Sequence, residues 1–410
     1  MAGSGRVEPR AGTERWLTSG VGAIGAASLL SDAGHEVTTA LLPSFLTSTL
    51  GAPAAALGLI EGISDGASGV AKLAGGAIAD DPARRGPTAV GGYAVTAVLS
   101  SAVGLATSAV QVAFLRAGAW TARGLRGPSR NAILADVVPA AAYGRAFGFE
   151  RSMDNLGAIA GPLLAMLLVA LTSVRTAILL SIAPGLLAAV AMLYAARRVV
   201  RPRPRERTRL RLRVRPVLRG GLGPLLLAVG AFEAGNLAAT LMILRVTELL
   251  EPSRGQDSAV SIGLALYVCY NLAATLASVP AGHLGDRRDA SWPLGAGVAA
   301  FLVAYVALAA TGPSVPVLAV AFVLAGVGIG AVETAEHHAV AARAPEDVRG
   351  SAFGLLAAMQ SLGNFVASAI AGLLWTVWSP TAAFGWAAGW MALSLALLVA
   401  ARVRAVSAAP

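Results

Sequence analysis

The sequence predicts an all-α membrane protein with twelve transmembrane helices in two six-helix pseudo-repeats. Three observations lead to this fold class. The 410 residues are 56% hydrophobic and only 13% charged, whereas soluble domains are about 45–50% apolar and about 25% charged. The apolar residues form blocks that reach the roughly 20 residues a helix needs to cross a bilayer. Three landmarks also recur at one offset close to half the chain length. These features exclude a large soluble protein and a disordered chain.

The apolar blocks give twelve predicted helices, separated by charged or Pro/Gly-rich breaks. Six of them precede an arginine-rich segment, and six follow it. The predicted helices cover residues 17–46, 54–79, 88–109, 111–138, 145–171, 175–196, 222–248, 259–284, 292–312, 315–343, 350–376 and 381–402.

These helices group into two bundles joined by a linker. Prolines inside the predicted helices mark expected kinks, and they are Pro43, Pro128, Pro162, Pro184 and Pro280. The expected organisation is a tail at 1–16, a bundle at 17–196, an arginine-rich linker at 197–221, a second bundle at 222–404 and a tail at 405–410.

The positions of the basic residues predict the orientation in the membrane. The segment Arg197–Arg219 holds eleven arginines and one acid, Glu206, a difference of +10 that equals the net charge of the whole chain. If both termini lie on one side, the loops of the opposite side hold only Arg175 and Arg254 as basic residues. We therefore expect both termini to be cytoplasmic. The linker has no aromatic side chain for stacking on bases. We interpret it as a topogenic segment, with contact to anionic lipid as the alternative, and expect no nucleic-acid partner.

An internal repeat at a constant offset, close to half the chain length, predicts duplication of a six-helix unit. Because six is an even number, both copies insert with the same orientation and are related by an axis along the membrane normal. The three landmarks that share this repeat offset are Gly76–Asp80 with Gly282–Asp286, Pro139 with Pro345, and Gly144–Gly148 with Gly350–Gly354.

These motifs resemble those of the major facilitator superfamily, and the resemblance covers nearly the whole chain. Gly76-x-Ile-x-Asp80 with Arg84-Arg85 is similar to the family's loop motif after the second helix, although Asp81-Pro82-Ala83 stands where Arg-x-Gly is usual. The second copy is Gly282-x-Leu-x-Asp286-Arg287-Arg288. The resemblance implies the major facilitator fold and a gate at the cytoplasmic mouth that includes Gly76, Asp80, Arg84, Arg85, Asp286 and Arg287.

Two further motifs resemble those of the family's proton-linked members. Arg116 precedes Asp136 by 20 residues, where the family places an arginine implicated in proton transfer. In the fifth predicted helix, a pattern of Gly148, Gly157, Gly161 and Pro162 is similar to the antiporter motif. The resemblance therefore implies antiport. The region around Asp32 also resembles an uncharacterised bacterial subgroup.

Charged residues inside the first bundle predict a polar channel. A charge at the bilayer centre costs about 2.5–3.5 kcal/mol on insertion scales, so each needs a partner or a water-filled cavity. Side chains four apart share a helix face, which applies to the acids on either side of His35. Two carboxylates one turn apart in a medium of low dielectric constant favour proton uptake by one of them. The predicted proton-coupling and cargo residues are Asp32, His35, Glu36, Glu61, Asp65, Lys72 and Arg116.

Other charges of the first bundle lie nearer the predicted cytoplasmic ends. We assign four of them to the gate, and the alternative is structural ion pairs between helices. They are Arg126, Arg130, Glu150 and Asp154. For His35 the alternative to a proton relay is a hydrogen-bonded packing residue.

The second bundle carries fewer charges and more tyrosines and amides, which suits a chamber for a largely apolar solute. The alternative for its amides is interhelical hydrogen bonding. The candidate cavity residues are Glu233, Asn236, Tyr267, Tyr270, Asn271, Glu333, Glu336, Gln360 and Asn364.

We interpret the chain as a proton-coupled exporter of small amphipathic or lipophilic compounds that works by alternating access. The alternative is an uptake symporter for a small metabolite, which the basic stripe on the fourth helix would favour if the cargo is an anion. A third interpretation is a non-transporting membrane sensor or assembly protein on a transporter scaffold. We expect no enzyme activity, cofactor or metal, and the expected partners are a small-molecule substrate, protons and the lipid bilayer. The preference for arginine over lysine, with abundant Ala and Gly, suggests a bacterial cytoplasmic membrane protein, which we expect to be a monomer.

Overall fold

The computed structural model describes residues 16–198, 211–218 and 222–407, and these ranges are helical apart from short turns. Most of the predicted N-terminal tail and linker therefore lie outside the described residues. The helices are α1 (Ser19–Ser44), α2 (Ala54–Ala79), α3 (Pro82–Ala102), α4 (Ala109–Val137), α5 (Tyr143–Leu171), α6 (Val174–Leu180), α7 (Ile182–Arg198), α8 (Val214–Val217), α9 (Gly223–Gly235), α10 (Ala239–Arg254), α11 (Gln256–Arg288), α12 (Ser291–Ala310), α13 (Val315–Arg343), α14 (Arg349–Val377) and α15 (Pro380–Ser407).

The third helix begins earlier than the sequence predicts. We expected it to start at residue 88, because the two arginines before that point interrupt the apolar run. Instead, the Asp81 carboxylate accepts a hydrogen bond from the Ala83 N–H at 3.0 Å, and Pro82 takes the first helical position. An acidic N-cap followed by proline is a strong start signal, so the helix includes both arginines.

The seventh predicted helix is broken into α9 and α10 at residues 236–238, which corrects the continuous helix expected at 222–248. A break at membrane depth leaves backbone groups that need partners. Asn364 donates to the Asn236 carbonyl at 3.0 Å, and the Ala238 N–H donates to Ser368 Oγ at 2.9 Å. The Leu237 N–H donates to the Tyr305 hydroxyl at 3.0 Å. Side chains of α12 and α14 therefore stabilise the break.

The two halves pack as the internal repeat predicts. In the first half α1 packs on α5 and α7, while α4 packs on α2 and α3. In the second half α13 packs on α11 and α12, while α15 packs on α9 and α12. The halves meet mainly through α2 with α14 and α5 with α11. The repeat offset maps α2 onto α11 and α5 onto α14, so these two contacts are repeat images of each other.

Within the described residues, nine helical segments are long and apolar enough to cross a membrane by length and composition alone. They are Pro82–Leu105, Ala140–Leu171, Val174–Arg198, Gly223–Arg254, Gln256–Arg288, Ser291–Ala310, Val315–Arg343, Glu346–Val377 and Pro380–Val403. The remaining long helices, α1, α2 and α4, carry most of the charges predicted for the first bundle, and charges lower the mean hydropathy. Their cost has to be offset by partners inside the protein.

Candidate functional site

Arg116 on α4 is buried inside the protein, with 2% of its surface exposed. Its Nη2 donates to both carboxylate oxygens of Glu61 on α2, at 2.8 and 3.1 Å, and its Nη1 donates to Thr39 of α1 at 3.3 Å. The guanidinium carbon lies 4.0 Å from the centre of the Trp120 ring, one turn further along α4. A buried arginine thus links three helices through an ion pair, a hydroxyl and an aromatic face.

A second cluster surrounds His35 on α1. Its ring nitrogens lie 3.1 Å from Glu36 Oε1 and 3.4 Å from Asp32 Oδ1, and both lie within 2.7 Å of Arg123 Nη1 on α4. Arg123 also pairs with Asp32 at 3.1 Å. Asp32 and His35 are buried, whereas the Glu36 and Arg123 side chains are 28% and 29% exposed. The structure therefore brings the predicted acids together around the histidine, with two members of the cluster reachable from outside the core.

Two glycines of the antiporter-like pattern position these acids. A Cβ on Gly157 of α5 would lie 2.6 Å from the Leu29 carbonyl oxygen and 2.9 Å from the Asp32 Cβ. A Cβ on Gly161 would meet the Glu36 Cβ directly. Because side chains are absent at both positions, α5 packs closely on the face of α1 that carries the acids. Pro162 follows within α5.

A third cluster joins α4, α5 and α13. Glu150 on α5 is fully buried and accepts hydrogen bonds or ion pairs from Ser28 at 2.6 Å, Arg130 at 2.7 Å and Arg151 at 2.9 Å. Arg151 also pairs with Asp154 at 3.1 Å and reaches Glu333 of the second half at 3.5 Å. The three residues Arg130, Glu150 and Asp154, which we assigned to the gate, form one network with a connection across the interface.

Two equivalent contacts join the halves at one end of the bundle. We call this end, where α2 ends and α5 begins, the basic face. In the Asp80 contact, the carboxylate after α2 accepts from the Ser351 N–H at 2.7 Å and from its hydroxyl at 2.5 Å. In the Asp286 contact, the carboxylate near the end of α11 accepts from the Gly144 N–H at 2.6 Å, the Arg145 N–H at 3.1 Å and the Arg145 Nε at 2.7 Å. Each acid thus binds the start of a helix of the other half, where free N–H groups favour an anion.

The glycines of both contacts allow backbone to approach backbone. A Cβ on Gly76 would lie 2.9 Å from the Gly350 carbonyl oxygen, and a Cβ on Gly354 would lie 2.8 Å from the Lys72 carbonyl oxygen. In the repeat image, Gly148 faces the carbonyl of Ser278, the residue that the repeat offset pairs with Lys72. Any side chain at these positions would push the two halves apart.

The other predicted gate arginines lie in different surroundings. Arg85 is buried and pairs with Asp136 at 2.6 Å, whereas Arg84 is 40% exposed and pairs with Asp81 at 3.1 Å. Arg287 is exposed. Arg126 lies inside the first half, away from the interface, where it donates to Ser31 at 2.7 Å and stacks 3.8 Å above the Tyr93 ring.

Lys72 and Asp65 on α2 take separate partners although they share a helix face. The Lys72 ammonium donates to Ser361 of α14, across the interface. Asp65 is exposed and accepts from the Trp120 indole N–H at 3.0 Å. Together with the Arg151–Glu333 pair and the two basic-face contacts, the Lys72 bond joins the halves on the basic-face side of the molecule.

Among the described residues, two buried acids of the second half are bound by amide side chains and not by arginines. Glu233 accepts from Asn236 at 3.1 Å, and Glu336 accepts from Gln360 at 2.7 Å. Asn271 donates to the Tyr267 carbonyl of its own helix, and the Tyr267 and Tyr270 rings stack with centres 6.0 Å apart. The Asn364 side chain supports the helix break, as described above.

The sequence also contains signals for some of the partners that the structure reveals. Ser351 is the repeat equivalent of Arg145, so the repeat alone pairs it with a residue beside the second acid. Trp120 follows Arg116 by one helical turn, the spacing at which helical side chains meet. Ser28 and Ser361 carry no such signal. Among the described residues, no group of three or more His, Cys, Asp or Glu side chains could hold a metal ion.

Comparisons with known proteins agree with this architecture. The family model described as Major Facilitator Superfamily matches residues 24–250 and 246–410. An uncharacterized MFS-type transporter of Methanocaldococcus jannaschii is 26% identical over 373 residues, which cover 90% of this chain and 92% of the relative.

Two solved structures share the fold at low sequence identity. A bacterial homologue of the iron transporter ferroportin, in an outward-facing state, has a TM-score of 0.74 and 14% identity, covering 94% of this chain and 99% of its own. The human organic anion transporter MFSD10 has a TM-score of 0.70 and 18% identity, covering 93% and 99%.

Proposed function

The chain belongs to the Major Facilitator Superfamily and is a secondary transporter, not an enzyme, and from this premise we propose that it exports small amphipathic or lipophilic compounds in exchange for protons. The observation that carries the proposal is the His35 cluster. Its buried acid, Asp32, and its accessible acid, Glu36, are both within 3.4 Å of the imidazole. Such an arrangement can pass a proton between an exposed and a buried carboxylate, because an imidazole can accept a proton at one ring nitrogen and donate one from the other.

Proton uptake in this cluster would change its balance of charges. Arg123 pairs with Asp32 and touches His35. When a carboxylate here is neutralised, the arginine loses part of its attraction to α1. Because Gly157 and Gly161 hold α5 against the same face of α1, movement of α1 would be transmitted to α5, which contacts the second half. Alternating access by rocking of the halves follows from this coupling.

The proposed cargo is amphipathic because the two halves offer different surfaces. The first half presents the Glu36, Asp65 and Arg123 side chains, which are partly or fully exposed. The second half presents the stacked Tyr267 and Tyr270 rings. A compound with an apolar body and a polar or charged end would match both.

The proposed orientation places the basic face in the cytoplasm of a bacterial cell, with both termini on that side, in agreement with the positive-inside rule. The hydrogen bonds and ion pairs that join the halves, among the described residues, lie on the basic-face side. In this orientation the molecule is closed to the cytoplasm. We propose that it works as a monomer, with one pathway between its halves.

The test uses the purified chain in vesicles that contain a pH-sensitive dye, with compounds selected by a resistance and accumulation screen in cells. We expect cargo-evoked proton movement, and its loss in a variant with both Asp32→Asn and Glu36→Gln. Glu248→Gln is the matched control, since Glu248 is an exposed acid on α10 that bonds Trp375. Proton movement that persists in the double variant would refute the assignment.

A second candidate function is proton-coupled uptake of a small anionic metabolite. The partly exposed Arg123 favours it, since a cation accessible beside the interface can bind a carboxylate or phosphate. The similar fold of a human organic anion transporter is compatible with it. The same vesicles separate the candidates. A symporter moves cargo into the compartment that protons enter, whereas an exporter that exchanges cargo for protons moves cargo out of that compartment.

A further inference from the structure

Two acids of the second half differ from the acids of the first half in the kind of partner they have. In the first half Asp32, Glu61 and Glu150 each have an arginine within 3.1 Å. Glu233 and Glu336 are 2% and 1% exposed. Within the described part of the chain neither has a lysine, arginine or histidine nitrogen within 4.0 Å.

The hydrogen bonds that these two acids do receive are few. Glu233 accepts one from Asn236 and Glu336 one from Gln360. The second oxygen of Glu336, Oε1, is buried and has no hydrogen-bond partner among the described residues. An ionised carboxylate offers about four acceptor sites and is strongly destabilised when it is buried without a cation. Binding a proton removes that charge, so the surroundings favour the carboxylic acid.

Both acids are held by the same helix. Gln360 of α14 binds Glu336 of α13, and Gly363 of α14 leaves space for the backbone and Cβ of Glu233 on α9. Ser361, between them in sequence, receives the Lys72 ammonium from the first half. One turn of α14 thus contacts both unpaired acids and the interface.

The charged and titratable groups around this pair come from several helices. Lys72 of α2 and Glu333 of α13 are the ionisable neighbours of Glu233, and Glu233 and Glu333 are those of Glu336. Tyr270 of α11 and Tyr305 of α12 lie in the same region. Among the described residues, Lys72 is therefore the cation available when Glu233 loses its proton.

We propose that Glu233 and Glu336 form a second proton-binding site, separate from the His35 cluster, and that release of their protons draws Lys72 away from Ser361. The deprotonated carboxylate attracts the Lys72 ammonium, which then gives up its bond to α14. Loss of that bond weakens the interface between the halves. This inference rests on the proposed proton coupling for its role in transport, but the protonation itself does not.

The direct test is infrared difference spectroscopy of the purified full chain during a change from neutral to alkaline pH. A carboxylic acid and a carboxylate absorb at different frequencies, so the number of protonated carboxyls is visible without any cargo. We expect loss of carboxylic acid signal in the wild type, a smaller loss in Glu336→Gln or Glu233→Gln, and none from these groups in the double variant. Glu248→Gln should leave the signal unchanged, since Glu248 is an exposed acid on α10 that lies outside both proposed proton sites.

The result that overturns the proposal is a wild-type protein with no carboxylic acid signal at neutral pH, or a signal that is as large in the double variant as in the wild type. The absence of this signal from the wild type would refute the proposal even if a variant fails to fold. A flux assay supplies the functional half of the test. Glu336→Gln should exchange cargo across the vesicle membrane when the pH is equal on both sides, but it should not accumulate cargo when a pH gradient is applied. Full accumulation by this variant would refute the role of the site in transport.

The two failures are distinguishable. If no compound is transported and the infrared signal follows the variants as expected, the proposed function fails and the proton site stands. If transport is proton-coupled but the signal is absent, the proton site fails and the His35 cluster alone carries the coupling.

Discussion

The buried Arg116 side chain makes an ion pair, a hydrogen bond and an aromatic contact at the same time. It is 2% exposed, pairs with Glu61, bonds Thr39 and stacks on Trp120. Lysine keeps the charge but has neither a planar group for two hydrogen bonds nor a face for stacking. We therefore expect Arg116→Lys to lower the free energy of unfolding by about 1.5–3 kcal/mol, the range for hydrogen bonds to charged groups. Thermal unfolding of the purified protein in detergent measures this change.

The matched control is Arg84→Lys. Arg84 also pairs with an acid, but it is 40% exposed, and exposed ion pairs contribute about 0–1 kcal/mol. Equal melting temperatures for Arg116→Lys and the wild type would show that the buried pair is dispensable for stability.

At the residue scale, the sequence predicts which side chains share a helix face better than it predicts which residues they contact. Helical spacing correctly places the Asp32 and Glu36 side chains around His35, because positions four apart share a face. It also places Glu61, Asp65 and Lys72 on one face. In the structure, however, Glu61 and Asp65 take partners on α4, whereas Lys72 takes its partner on α14. The partner depends on how helices are staggered along the membrane normal, which the spacing within one helix does not contain.

At the scale of helices, the two basic-face contacts involve equivalent backbone positions but differ in the charge of the side chains that take part. The Asp286 contact includes the Arg145 side chain, while Ser351 occupies the corresponding position in the Asp80 contact. Burial raises the pKa of Asp80 above its ordinary value, although the hydrogen bonds from Ser351 act to lower it. The Asp80 contact is thus compatible with a protonated acid, whereas the Asp286 contact depends on an ion pair with Arg145.

This difference predicts unequal effects of neutralising the two acids. Asp286→Asn should open the basic face, since it removes charge-assisted bonds worth roughly 1.5–3 kcal/mol. Asp80→Asn resembles the protonated acid and should leave the contact closed. In the wild type, the raised pKa of Asp80 means that acid pH favours the closed contact. The extra stability is complete below the ordinary aspartate pKa and is lost as the pH rises through the raised value.

Distances between spin labels on the basic face measure these changes. Arg84, whose side chain is 40% exposed, and the exposed Arg287 can be replaced by cysteines that carry the labels, in a background where Cys269 is replaced by alanine. We expect longer distances for Asp286→Asn and unchanged distances for Asp80→Asn. If Asp80→Asn lengthened the distances and Asp286→Asn did not, the proposed difference in charge between the two contacts would be wrong.

Helix positions follow from the sequence except where side chains of other helices decide them. The break at 236–238 lies in an apolar stretch with no proline, so hydropathy predicts a continuous helix. It persists because Tyr305, Asn364 and Ser368 bind the freed backbone groups. Those residues lie 68 to 130 positions away in sequence, and no local pattern indicates them. The start of α3, in contrast, has a local signal, since Asp81 followed by Pro82 is typical of a helix N-terminus.

At the scale of the whole molecule, the repeat offset has a mechanical consequence. It predicts the fold class, and in the structure it relates the α2–α14 contact to the α5–α11 contact. Because an axis along the membrane normal relates the copies, both contacts close the same end of the bundle. The halves cannot separate at the basic face by breaking only one of them, so opening requires α2–α14 and α5–α11 to part together.

A covalent bond across one interface should therefore arrest transport. The Ser152 hydroxyl of α5 donates to the Thr275 carbonyl of α11 at 2.7 Å, so these two positions lie close together across the interface between the halves. In a chain with Cys269→Ala, we expect Ser152→Cys with Thr275→Cys to cross-link with a short thiol reagent and to lose flux. Reduction of a cleavable cross-link should restore it, because the halves regain their motion. The single variant Ser152→Cys, treated in the same way, controls for modification of the thiol itself. Undiminished flux in fully cross-linked protein would mean that cargo crosses without separation of the halves at this interface, which no alternating-access mechanism permits.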